Sequence, residues 1–324
     1  MPRTRKPRSG SMQFWPKVRA KRETARIRTW HNVQPKKIGG FPVYKAGMTH
    51  VQMHDQAPNS LTKGSTVGFA VTILECPPIK VIGIRGYHTT YHGLQVAKDI
   101  LAPNLDGFLS RTLSLPKKAH DVSSFSTTGM VKVSILACTQ PHLINLKKTP
   151  EVLELGVGGK DAAEQFAFAK ELLGKEVAID SVFTPGEQLD IHSVNRGKGF
   201  QGPVKRYGIH LKFHKSEKGR RAPGSIAPWH GTKNWMTPHA GQMGYHLRTE
   251  YNKVLVKIGE KAQEINQAGG ILKYGNVAGR YILIKGSVGG AKKRLVTLTH
   301  AARPDHRVPK KAPVLTYVSQ ASKQ

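Results

Sequence analysis

The chain has 324 residues, 38% of them hydrophobic, which is enough for one large domain or two ordinary ones and excludes a wholly disordered polymer. Lys and Arg number 51 against 20 Asp and Glu, a formal charge of +31, so a compact body needs a polyanion nearby: nucleic acid or an anionic membrane surface. The absence of an apolar run near the roughly 18 residues of a membrane span, of a secretory apolar stretch near the start and of a cysteine framework points to a soluble cytosolic protein.

Residues 1–40 form a basic N-terminal extension. Arg19, Arg22, Arg26 and Arg28 lie among many other bases, with Trp15 and Trp30 interleaved and Glu23 as the single acid up to residue 37. No apolar period of 2 or 3.6 gives residues 1–37, or the later basic stretch 196–221, a face of its own, so both are expected to be disordered alone and ordered on RNA. Strand signals follow at 43–53, 66–76 and 79–90, rich in Val and Ile with Pro/Gly punctuation. Cys76 and Cys138 sit in apolar stretches and read as buried free thiols.

The next region changes sign. Residues 99–190 hold 12 of the 20 acids against nine bases, a net −3, which leaves +34 for the remainder. Such segregation puts one part of the molecule in water and the rest against phosphate. Residues 99–175 are expected to be an inserted α/β subdomain, with a strand at 130–139 and one helix over DAAEQFAFAKELLG. There Asp161 can cap, Glu164 stands three residues on, Phe166, Ala169 and Leu173 share a face, and Gly174 can stop the turn.

Strands are expected again at 176–183 and 188–194, then a second basic stretch at 196–221. It carries Arg196, Lys198, Lys205, Arg206, Lys212, Lys215, Lys218, Arg220 and Arg221 against Glu217 alone. Within it, GKGFQG (197–202) fits the G-x-G-x-x-G pattern of a dinucleotide loop, but Pro203 and Gly208 leave no helix to bind a pyrophosphate. The glycines instead let the backbone approach an RNA phosphate, or simply make a tight turn. Residues 202–250 show no strand or helix period, and a connection this long inside a compact domain is either functional or disordered. All four tryptophans, Trp229 and Trp235 included, fall in or beside the basic stretches, where indoles suit stacking on unpaired bases. His210, His214, His230, His239 and His246 cluster without cysteines or a zinc spacing, so RNA contact is preferred to a metal site. Arg248 continues this stretch.

Strands are expected at 253–259, 280–288 and 294–300, with Lys292, Lys293 and Arg294 as a further basic group, and 301–324 is a C-terminal tail. A mainly β body over 41–98 and 176–300 results, a sandwich or barrel with the α/β insertion. Catalysis finds no constellation: Asp180 and Asp190 lack a His at motif spacing, and no nucleophile elbow, zincin or Walker pattern occurs. The readings in competition are an RNA-bound scaffold, an RNA-modifying enzyme that grips substrate with its basic stretches, and a general polycation binder of membranes or chromatin. The scaffold is preferred, with no cofactor, metal, membrane or homo-oligomer expected.

Six blocks in order carry a resemblance. FPVYKAGMT (41–49), CPPIKVIGIRGY (76–87), VAIDSVF (177–183), NRGKGFQG (195–202), SIAPWHG (225–231) and AGQMGYHLRTEYN (240–252) together resemble the universal large-subunit ribosomal protein L-three family in its archaeal and eukaryotic form. The resemblance implies a six-stranded translation-protein-type β-barrel, an inserted α/β subdomain and a finger tipped by Trp229 with His230 beside it. It further implies binding of large-subunit rRNA early in assembly, neighbouring ribosomal proteins, and a finger reaching towards the peptidyl transferase centre, with indirect influence on the aminoacyl-tRNA site and elongation factors. Eukaryotic members carry a modifiable histidine where this chain has Glu217, so that modification is not implied. Residues 312–324 have no counterpart in that resemblance.

Overall fold

In this computed structural model, residues 16–31, 33–116, 122, 125–224 and 237–321 are described. The architecture is mainly β with few helices. The chain divides into two compact units, one of residues 1–22 and 194–247, the other of residues 23–193 and 248–324.

The larger unit is built on long Val- and Ile-rich strands. In chain order they are β1 (Gly40–His54), β2 (Thr66–Glu75), β3 (Ile79–Thr90), β4 (Gly93–Leu101), β5 (Lys132–Thr139) and β6 (Val152–Gly156). Helix α1 (Ala162–Leu172), β7 (Glu176–Val177) and β8 (Gln188–Val194) follow. The smaller unit contributes β9 (Phe200–Gln201), α2 (Pro203–Tyr207) and β10 (Gly241–Gln242). Then come β11 (Leu247–Gly259), β12 (Tyr281–Lys285), β13 (Leu295–His300) and β14 (Leu315–Val318).

The first sheet runs β13-β8-β11-β12-β2-β1-β14, and β13 also pairs with β1. The hydrogen-bonded path therefore returns to its start through six strands, with β14 attached outside it along β1. Both faces are covered along Gly40–Tyr44, Val71–Glu75 and Tyr281–Ile284, which therefore read as continuous apolar runs, whereas the far ends of β1 and β2 alternate between more and less buried positions. On β12, Ile282 and Ile284 enter a core shared with Phe41, Val43, Leu74 and Ile191. Their neighbours Tyr281 and Leu283 face the opposite way, into a second core with Val71, Ile73 and Met53 that Ile265, Ile271 and Val277 cover from outside.

That covering segment is fastened by a buried acid. Glu75, 1% exposed, accepts the N–H groups of Ala278 at 2.7 Å and Gly279 at 2.8 Å, and the hydroxyl of Tyr274. Burial, with the Glu75 charge beside it, pushes the Tyr274 phenol well above its ordinary range, so the tyrosine stays a donor. Removing the carboxylate strands two part-buried amides and the Tyr274 hydroxyl. Glu75→Ala should lower unfolding free energy by about 3 kcal/mol, measured by guanidinium denaturation; a loss below about 1 kcal/mol would mean that water replaces the carboxylate.

The second sheet runs β4-β3-β5-β6, with β7 paired to the start of β3. Helix α1 packs on it through Ala162 and Ala169, aided by Phe166 and Leu173. Asp161 occupies the N-cap without making a side-chain bond, and Glu164 reaches back to the Lys160 N–H at 2.9 Å instead of to the cap residue. Gly174 takes φ +77 just beyond the helix, a conformation that costs glycine little. Both cysteines are buried and free, and burial raises their thiols, that of Cys138 to about 11.

Several elements depart from expectation. The stretch 176–183 holds a two-residue strand and a 3-10 turn at Ile179–Ser181, because Ile179, Val182 and Phe183 all turn into the core within one tight loop. β4, β6 and β14 were not anticipated. Residues 202–250, read as lacking both periods, contain α2, β10 and the start of β11. A helix does follow GKGFQG, started by Pro203 and ended after Tyr207 by Gly208 at φ +66, although it has only five residues.

Candidate nucleic-acid interface

The smaller unit is organised by a short ladder. Gly241 pairs with Gln201 and Gln242 with Phe200, and Lys198 N–H to Met243 O (2.8 Å) with Met243 N–H to Gly199 O (2.8 Å) extends it. Asn195 and His246 close its far end through Asn195 N–H to His246 O (3.0 Å) and His246 N–H to the Asn195 side chain (2.8 Å). Gly244 must be glycine here: at φ +73, any Cβ would lie 2.1 Å from the Arg196 carbonyl oxygen.

Arg206 anchors this ladder from inside. It is 7% exposed, donating Nε–H to Gln242 O at 3.0 Å and Nη1–H to His239 O at 2.8 Å, with its guanidinium over the Tyr207 ring. His246 is equally internal, its Nδ1 2.8 Å from the Val18 carbonyl oxygen. The segment before residue 22 is tied down by that contact, by Ala20 N–H to Tyr245 O at 2.7 Å, and by Lys17 and Arg19 over the rings of Tyr207 and Tyr245. Arg206 and His246, both expected at an RNA surface, are thus occupied inside the protein.

Around this scaffold stand the exposed cations Arg196, Lys198, Lys205, Lys215, Lys218, Arg220 and Arg221, with Lys212 half-buried. Residues 212 and 220 are drawn together by Lys212 N–H to Arg220 O at 2.9 Å. Among the described residues none of these eight pairs with a carboxylate, whereas Lys80, Arg85, Lys147 and Arg280 of the larger unit all do. Two aromatics that attention to tryptophan passed over lie among them: Phe200 is 77% exposed, and Phe213, 68% exposed, packs its ring against His214. Their signal was present as aromatic residues inside a basic, glycine-bearing run. A cleft of about 450 Å³ lined by Pro203, Arg221, Pro223, Pro238 and His239 opens in the same unit. Trp15, Trp229, His230 and Trp235 lie outside the described residues.

The remaining expected contacts belong to the larger unit. Arg22 closes the smaller unit's N-terminal segment, but Arg26, Arg28 and Trp30 are part of the larger one, the two arginines exposed. Trp30 is half-buried and packs against the core; its ring fills the space above Gly39, Gly40 and Gly156, where an added Cβ would come within 2.4 Å at Gly156. Arg294 is paired with Glu23 at 3.4 Å and Lys292 donates to Leu272 O at 2.6 Å, while Lys293 is exposed. Burial lowers the pKa of Arg248, and burial followed by Lys273 lowers that of Lys292. Lys45 and Lys253 hold the turn at 286–290 through the carbonyls of Val288, Gly290 and Ser287, a role with no sequence signal. Among the described residues no cluster of His, Cys, Asp or Glu could hold a metal ion, and no helix is long and apolar enough to cross a membrane.

A family model described as "Ribosomal protein L3" matches residues 1–324. Proteins named "Large ribosomal subunit protein uL3" are similar along nearly their whole length. That of Archaeoglobus fulgidus is 44% identical, with 98% of each chain covered. That of Methanothermobacter thermautotrophicus is 43% identical, covering 100% of this chain and 99% of its own, so residues 312–324 do have a counterpart. The Methanocaldococcus jannaschii protein is 44% identical, again with 98% of each covered.

Proposed function

This chain belongs to the ribosomal protein L3 family, and from that premise we propose that it is a structural constituent of the large ribosomal subunit, cytoplasmic, which binds large-subunit rRNA and has no catalytic role. The observation that carries the RNA reading is the set of exposed cations at 196–221 with no carboxylate partner among the described residues, held on a unit whose internal bonds use Arg206 and His246. Cations without partners in the protein are available to phosphate, and each one neutralised releases counterions.

On this reading the contacts divide by role. Arg19, Arg22, Arg26 and Arg28 of the extension, Arg196, Lys198, Lys205, Lys212, Lys215, Lys218, Arg220 and Arg221 of the smaller unit, and Arg248, Lys292, Lys293 and Arg294 of the larger one neutralise phosphates. Phe200 and Phe213 offer ring faces to unpaired bases. Arg206 and His246 hold the surface in shape. The six strands that close on themselves, β1, β2, β8, β11, β12 and β13, form a translation-protein-type barrel, and the second sheet with α1 is the part inserted between β2 and β8. The extension is residues 1–40, the finger residues 202–250 and the tail residues 301–324, whose strand β14 stays paired with β1. The protein acts early in subunit assembly among neighbouring ribosomal proteins. Its finger, tipped by Trp229 with His230 and near Trp235, reaches towards the peptidyl transferase centre and influences the aminoacyl-tRNA site and elongation factors indirectly; Trp15 stacks on RNA from the extension.

Trp229→Ala separates this finger role from a core role. The variant should enter large subunits at the parental level yet disturb tRNA selection or peptide transfer. Failure of Trp229→Ala to enter particles would make the residue part of the protein's own core.

A further inference from the structure

The two edges of the second sheet are treated differently. At β6, Gly39 N–H donates to Gly156 O at 2.8 Å and Gly158 N–H to Lys37 O at 2.9 Å, so residues 37–39 cover that edge. β4 is the opposite edge, and among the described residues Leu94–Ala97 have no backbone partner beyond β3. Edge strands are ordinarily guarded by charge or proline. Lys98, Asp99 and the bulge at Ala97 guard the C-terminal half of β4, beside the Arg85–Asp99 ion pair, but residues 86–97 of the hairpin contain neither charge nor proline.

The side chains match an edge made for pairing. Leu94 and Val96 are 54% and 47% exposed and Tyr91 at the turn is 99% exposed. Leu94 and Val96 stand opposite Thr89 and Tyr87, sharing with them the face away from Gly86, which is closed by Phe125 and Met130. Strand addition uses such an arrangement, main-chain bonds for affinity and alternate apolar side chains for selection.

Charge decides the occupant. Residues 86–97 hold no Lys or Arg in a chain of +31, so the hairpin lacks the side chains on which the RNA reading rests, and its exposed apolar pair Leu94 and Val96 fits protein better than RNA. A second copy would bring another +31 against the first. We propose that β4 docks an extended segment of another protein, apolar at alternate positions, by adding it as a further strand to this sheet. The proposal rests on the ribosomal reading above, since the partner belongs to the same particle.

The test places the photo-cross-linker p-benzoylphenylalanine at Val96 in the full chain, with a control at Leu61 on the exposed turn after β1, and irradiates assembled large subunits. The Val96 probe should give one protein adduct that survives nuclease and maps to an extended segment, and adding Leu94→Lys should abolish it. A nuclease-sensitive adduct, an adduct to a second copy, an adduct equally strong from Leu61, or no adduct would overturn the docking. Entry of the probe-bearing chains into subunits is scored separately. If neither enters, the ribosomal reading falls with the proposal; if both enter and Val96 captures no protein, the docking alone falls.

Discussion

Replacing Lys198, Lys205, Lys215 and Lys218 together by glutamine should weaken binding of the full chain to a large-subunit rRNA fragment by about a thousandfold at 0.1 M salt. The same variant should flatten the salt dependence by about three log units per log unit. The figure follows from counterion release, since each neutralised phosphate contributes roughly 0.7 to 0.9 to the slope. All four ammonium groups are exposed and lack a carboxylate partner among the described residues, so their loss leaves the fold untouched and the thermal midpoint should hardly move. Arg206→Gln should do the reverse: loosen the ladder of residues 198–201 and 241–243 while changing the slope little directly, because its guanidinium already serves Gln242 and His239. Titration by fluorescence anisotropy between 0.05 and 0.3 M salt reads both, on the scale over which such contacts are screened. An unchanged slope in the quadruple variant would place the phosphate contacts elsewhere.

Trp30→Ala should cost about 3 kcal/mol of stability, the lower end for truncating a tryptophan because the ring is half-buried. Its indole fills the space left by three glycines, Gly39, Gly40 and Gly156, which the smaller neighbours Val33 and Thr299 could fill only in part. The salt slope of RNA binding should be preserved in the variant. Full stability with lost RNA affinity would make Trp30 a stacking residue, as its position in a basic arm first implied.

That contrast shows where sequence was sufficient and where it was not. β1, β2, β3, β5, β8 and β13 declare themselves because Val and Ile runs bounded by Pro and Gly are local signals, and α1 does so through Asp161, Glu164 and Gly174. β4 is invisible for the reason that makes it interesting: Leu94, Gln95, Val96 and Ala97 bury no face, so no period is imposed on them. β14 carries Leu315 and Val318 against a core formed by residues far away in sequence. At the candidate interface, the charge of 196–221 was legible from composition alone. Which of its cations are internal was not, since the carbonyls that capture Arg206 come from residues 239 and 242, and the glycines that receive Trp30 from residues as distant as 156. A motif of Gly and Lys tells that backbone and charge come close, and leaves open whether the charge turns inward.

Incorporation of this chain into the large ribosomal subunit through those outward cations is the expected outcome. Quantitative mass spectrometry of salt-washed, gradient-purified subunits tests it most directly. One copy per large subunit and none in the small subunit is the expected result. Absence from the large subunit, or presence at a small fraction of a copy with the bulk of the chain free, would contradict it.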